Sequence, residues 1–297
     1  MIKERYSQEM VDKDGFRFGP LTRLVTGMDM TYGWHLRPQT IQMIGYVEMR
    51  KPAKDVSHGI DHLTHMAEVV RKACYDNPKL HSLIDWDAYW LAHVLHDDFV
   101  RDLPPNPLSI LLGQKYEHVF AKYPVYLYMR RNGFSKDDIR KVTDIVRLHP
   151  LGVDDWRRKR WEQAADQKTA DTARLLTLVD SDDVHRLGRI DSVLQHVQNA
   201  FGISVVPMYQ LLKDYYNQHA NFSFEFGHDM EWFQVRAARK QRIARMHIDH
   251  LVATHRPVVD IHALEIPIDA LVDSVRWVGS ITKRMRKTFA RMSDETL

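Results

Sequence analysis

The run Trp86 to His96, Trp-Asp-Ala-Tyr-Trp-Leu-Ala-His-Val-Leu-His, constrains the fold more than any other stretch of this chain. It reads as a helix that is apolar on nearly all sides, so other elements must surround it. Alternating β-branched patterns, the mark of half-buried strands, are almost absent from the whole sequence. The expected fold class is therefore all-α. The run closes on His96-Asp97, and burying an imidazole beside a carboxylate without partners is unfavourable by several kcal/mol. A metal ion is the simplest partner, because neutral imidazole and carboxylate together suit a divalent cation.

The flanking sequence supplies candidate neighbours. His62, Leu63, Met66, Val69, Val70 and Ala73 recur at helical spacing after a start signal at Ser57-His58-Gly59 and Asp61, and Asn77-Pro78 ends that element. A further helix is expected over Ser109 to Asn132, carrying His118 and splitting at Pro124. Gly133 is a C-terminal stop, and Ser135 with Asp138 three residues on is an N-cap pattern. The helix that follows, Lys136 to Leu148, puts Ile139, Val142, Ile145 and Val146 on one face and ends at His149-Pro150. A long helix over about 166–187 buries Ala170, Ala173, Leu175, Leu178, Val179 and Asp182, and delivers Asp180, Asp182 and Asp183 just after its most apolar turn. Near the N-terminus, Phe16 to Pro20 reads as a turn and Thr40 to Glu48 as a short strand or irregular arm. Beyond Gly188 the pattern stays helical, including Met230 to Thr254.

Three regions follow: an N-terminal extension packed on the body (1–56), a core (57–190), and a C-terminal helical region (191–297) that caps the site or forms a dimer face. A homodimer is thus among the expected assemblies. No apolar stretch approaches the roughly 20 residues that span a bilayer, and Met1-Ile2-Lys3-Glu4-Arg5 is too polar for a signal peptide. A lone cysteine, Cys74, excludes an internal disulfide and suits a reducing compartment. The expectation is a cytoplasmic protein with no membrane partner. A net charge of +3 is too small to argue for nucleic acid, which is the less favoured partner. The basic run Lys283 to Lys287 reads as a solvated helix face, with a phosphate-contacting patch as its alternative.

Taken in order, His62, His96-Asp97, His118, His149 and Asp182 on successive helices resemble the HD-domain superfamily of metal-dependent phosphohydrolases. His58-Gly59-Ile60-Asp61-His62-Leu63 looks like that family's first helix entry, and Leu91 to Asp97 like the apolar helix that ends in its His-Asp doublet. Glu117-His118 and Ile145 to His149 are similar to the two helices that add histidines in the two-metal branch. Ser181 to Leu187 is similar to its last motif, usually Ala-Asp-Arg-Leu. The likeness spans about residues 57–190. It departs after the doublet, where Asp98-Phe99-Val100-Arg101 stands in place of Gly-Lys. The Gly-Tyr-Pro of cyclic-dinucleotide phosphodiesterases is missing after His149.

The resemblance implies an HD-domain helical bundle with two divalent metal ions drawn from iron, manganese, cobalt, nickel and zinc. Asp97 would bridge them, with His62, His96 and Asp182 completing one site and His118 and His149 the other. Asp180 is the fallback last ligand, and His58 and Asp180 otherwise support the ligands from behind. The implied activity is cleavage of a phosphoester in a nucleotide or small phosphorylated metabolite by a hydroxide held between metals about 3.5–4 Å apart. Asp98 and Asp102 are candidate proton donors to the leaving group, beside Asp97. Arg101, Lys115, Lys122 and Arg186 are candidate phosphate contacts. The same cradle also carries mixed-valent di-iron oxygenases acting on small polar substrates, the second reading. A metal-stabilised, non-enzymatic binding scaffold is the third.

Overall fold

The computed structural model describes residues 19–50, 59–97, 122–149, 166–191 and 231–254, and all regular structure among them is helical. The helices are α1 (Pro20–Tyr32), α2 (Pro38–Arg50), α3 (Ile60–Asp76), the single turn α4 (Leu80–Leu83), α5 (Trp86–Leu95), α6 (Lys122–Arg131), α7 (Lys136–Leu148), α8 (Gln167–Val184) and α9 (Glu231–Thr254). None of them is long and apolar enough to cross a membrane.

Helix α5 holds the centre, as its composition requires. Nine of its ten residues are buried, and α2, α6, α7 and α8 all pack on it. Burying side chains such as Trp90, Leu91, Val94 and Leu95, all at 0% exposure, contributes about 1.5–3 kcal/mol each. Helix α3 lies against α1, α8 and α9, and α8 runs between α3, α5 and α7. The ends of α3, α5, α7 and α8 that carry imidazole or carboxylate therefore meet inside one bundle.

Local signals explain the helix boundaries. Asp85 caps α5 by accepting from Ala88 N at 3.1 Å. Ser135 and Asp138 form a reciprocal capping box at the start of α7, and Asp166 caps α8 through Thr169 N. Gly133 ends α6 at φ +74°, where a side chain would be strained. Pro124 falls in the first turn of α6, where proline is tolerated.

The stretch Thr40 to Glu48 is helical, not a strand or irregular arm. Its Thr, Ile and Val content favours β, but Thr40, Ile41, Ile44, Val47 and Glu48 share one face at helical spacing and are buried. Leu21, Val25, Ile41 and Ile44 belong to the same apolar cluster as α5, so α1 and α2 share its core. Glu48 also caps α1, accepting from Leu21 N at 2.8 Å and from Thr22 N at 3.1 Å. Gly19 lies against that carboxylate so closely that a Cβ there would overlap it.

Candidate metal centre

Five of the side chains singled out in the sequence come together where α3 begins and α5, α7 and α8 end. They are His62, His96, Asp97, His149 and Asp180. His62 and His96 are fully buried, Asp97 is 4% exposed and His149 5%. The Nε2 atoms of His62 and His96 lie 3.1 Å and 3.2 Å from the same Asp97 oxygen, Oδ2. Asp180 reaches the group from α8, with Oδ1 3.6 Å from His62 Nε2 and Oδ2 3.2 Å from His149 Nε2. The hydroxyl of Thr177 donates to the His149 carbonyl at 2.9 Å, tying the end of α7 to α8. Ligand atoms of His62, His96 and Asp180 all lie within 4.8 Å of one another, so these three could hold a metal ion.

The protonation of the imidazoles tests whether a cation fits. His96 Nδ1 lies 2.8 Å from the His93 carbonyl, which only accepts, so Nδ1 carries the hydrogen. Burial, seconded by His149 and opposed by Asp97, lowers the pKa of His96 and keeps it neutral. Its Nε2 is then a lone pair aimed at a carboxylate oxygen, with no hydrogen between two acceptors. His62 Nδ1 is 2.6 Å from Asp183 Oδ2 and carries the hydrogen for the same reason. Burial and Arg189 push the His62 pKa down, but Asp183 and Asp97 outweigh them and raise it. The environment of His62 Nε2 thus calls for a positive charge. Both Nε2 atoms are buried without a hydrogen bond, a costly state for polar atoms. A transition metal ligated by nitrogen and oxygen at about 2.0–2.2 Å resolves both problems at once. The residues present fit such an ion.

Asp180, not Asp182, joins the imidazoles. At about 100° per helical residue, Asp180 and Asp183 share a face of α8 while Asp182 points the other way. Asp182 is buried against α9, where Arg236 Nε donates to it at 2.7 Å and Lys240 Nζ at 2.5 Å. Lys240 also donates to the Asp182 carbonyl at 2.9 Å. Two cations pair with that carboxylate on the α9 side, whereas Asp180, the alternative last ligand, is the aspartate that the imidazoles meet.

Behind the imidazoles, Asp183 is fully buried. Burial opposes its ionisation, but His62, Arg189 and Arg186 hold its pKa far below the usual carboxylate range. Asp180 is likewise held well below it, against burial, by Arg189, His149 and His62. Arg189 Nη1 donates to Asp180 Oδ1 at 2.8 Å and Asp183 Oδ2 at 3.1 Å. It also sits 3.0 Å from His62 Nδ1; both are donors converging on Asp183. His65, one turn after His62, has its pKa lowered by burial to about 4 and stays neutral.

The remaining candidates divide. Arg186 Nε donates to Asp183 Oδ1 at 2.7 Å and so pairs with a carboxylate behind the centre. Lys122 opens α6 with Arg147 and Asp144 of α7 as its charged neighbours. His58, Asp98, Arg101, Asp102, Lys115 and His118 lie outside the described residues. The sequence reading missed His93, whose Nε2 lies 3.0 Å from the Leu63 carbonyl and ties α5 to α3 beside His62. Its only signal was a histidine inside an all-apolar helix. It also missed Arg236 and Lys240, whose partner lies far away in sequence.

No protein-family model, curated protein or solved structure matches the chain.

Proposed function

We propose that this chain is a metal-dependent phosphohydrolase of the HD-domain kind, cleaving a phosphoester of a nucleotide or small phosphorylated metabolite. The observation that carries the reading is the pair of buried imidazole Nε2 atoms aimed at one Asp97 oxygen without a hydrogen bond at either. A neutral His96 lone pair and a carboxylate oxygen facing each other, beside a His62 whose surroundings favour positive charge, make sense around a cation and are unfavourable without one. His62, His96, Asp97 and Asp180 would hold that ion, with His149 beside Asp180. Bound there, a divalent metal would polarise a phosphoryl oxygen and supply hydroxide from water near neutral pH.

The chain's own residues have defined tasks in this reading. His96 is fixed by the His93 carbonyl, and His62 by Asp183, so neither ring needs to reorganise when a ligand arrives. The walls of the centre come from the apolar core around α5, which excludes water from the rear of the site and strengthens every charge interaction inside it. Arg189 balances the surplus of carboxylates, since Asp97, Asp180 and Asp183 would otherwise crowd three negative charges together.

Metal analysis of the purified protein, followed by phosphate release from a nucleotide panel with manganese, tests the proposal. The expected result is bound transition metal and turnover of at least one phosphoester, abolished in Asp97→Ala. A mixed-valent iron signal in electron paramagnetic resonance, with no phosphate released, would instead favour the oxygenase chemistry. A protein that binds no transition metal would overturn the reading altogether.

A further inference from the structure

We propose that Asp183 and Arg189 are the positioning pair of this centre: Asp183 fixes the orientation of His62, and Arg189 holds Asp183 and Asp180 in place on either side of that ring. The inference rests on the metal reading above, and extends it to two residues that would not touch the ion.

Asp183 is an aspartate in the last turn of a buried helix, with no solvent to stabilise its charge. Packing alone does not call for a carboxylate there, and a purely structural ion pair would need one guanidinium. Asp183 has two, Arg186 at 2.7 Å and Arg189 at 3.1 Å, and it also takes the Nδ1 hydrogen of His62 at 2.6 Å. That third contact matters most. A histidine bonded through Nδ1 to a carboxylate has its tautomer and ring plane set, and presents Nε2 as a ligand of increased basicity. His62 Nε2 is the atom that faces Asp97 and Asp180.

Arg189 makes the arrangement cooperative. One of its nitrogens, Nη1, bonds both Asp180 and Asp183, which lie three residues apart on the same face of α8. Arg189 is 6% exposed. It therefore fixes the spacing between the carboxylate that would bind the ion and the one that orients His62. Without it, two buried carboxylates one turn apart would repel, and the nearer would be drawn out of position.

Two readouts separate positioning from simple support of the fold. In proton nuclear magnetic resonance of the full chain without metal, the Nδ1 hydrogen of His62 should give a far-downfield signal, assigned by its loss in His62→Gln. It should disappear or move upfield in Asp183→Asn. In cobalt(II) titrations, Asp183→Asn should bind about 10–100-fold more weakly, with an altered visible spectrum, and Asp183→Glu should recover part of the affinity. Should Asp183→Asn fail to fold, Arg189→Lys serves instead. It keeps the charge but loses the planar fork, and should weaken cobalt binding with a changed spectrum. Natural affinity and spectrum in Asp183→Asn, or in Arg189→Lys where that variant stands in for it, would overturn the pairing while leaving the metal reading intact. Absence of cobalt binding by the natural protein would remove both.

Discussion

The two ends of α5 carry the same kinds of residue and put them to opposite uses. At the N-terminal end, Asp85 and Asp87 meet long cationic side chains. Lys141 Nζ lies 2.6 Å from Asp85, and Arg37 bridges Asp87 at 3.3 Å and Asp138 at 2.9 Å. Those groups are partly exposed, and their charges are satisfied within the protein. At the C-terminal end, carboxylates meet imidazoles in a dry interior, and two ring nitrogens face a carboxylate with no hydrogen bond. The first end staples α2, α5 and α7 together. The second leaves the buried Nε2 of His96 facing a carboxylate oxygen without a hydrogen bond, an arrangement a cation would relieve. What separates a structural carboxylate from a candidate ligand here is the partner and its hydration, not the aspartate.

The comparison can be broken by mutation at either end. The largest effect is expected for Asp97→Ala, which should weaken transition-metal binding by more than the roughly 10–100-fold that loss of an outer-shell partner costs. Isothermal titration with cobalt(II) reads this directly, and unchanged affinity would merge the two ends into one structural class.

Acid should act mainly at the C-terminal end. Asp180 and Asp183 have folded pKa values below their ordinary 3.8, so the stability they contribute is fully present above that value and is lost as pH falls below it. His96, lowered from 6.5, adds a loss as pH falls below 6.5, while His62, raised, opposes it. Melting temperature measured without metal should therefore drop steeply below about pH 3.8, and the drop should be shallower in Asp183→Asn than in the natural chain.

Smaller effects belong to the N-terminal end. Asp85→Ala removes the α5 cap and should cost about 1 kcal/mol in denaturant unfolding, with cobalt affinity unchanged. Lys141→Ala, which removes a half-exposed ion pair, should cost less than about 1 kcal/mol and lose that effect at high salt. A metal-binding defect in either variant would show that the two ends are coupled.

Much of this contrast was legible in the sequence, and the reasons are local. Helices α3, α5, α7 and α8 announce themselves by their apolar patterns and by local signals such as the Ser135 cap, which act within a few residues. The His96-Asp97 doublet stands out because it ends an apolar run. Which aspartate of α8 meets the imidazoles was not legible. Asp180, Asp182 and Asp183 are all equally acidic on paper, and only the placement of α8 decides which face meets α3 and which meets α9. The partners that claim Asp182, Arg236 and Lys240, lie on α9, beyond any local pattern. The helical character of α2 was masked for a similar reason, since Thr40, Ile41, Ile44 and Val47 favour strand locally and only burial against the core makes them a helix.

The central claim is that His62, His96, Asp97 and Asp180 enclose a metal ion while Asp182 holds a neighbouring helix. Cobalt(II) titration of Asp180→Asn and Asp182→Asn, side by side with the natural chain, tests it most directly. Asp180→Asn should lose most of the affinity and Asp182→Asn should keep it, with α9 becoming more open to proteolysis. Affinity lost in Asp182→Asn and retained in Asp180→Asn would contradict it.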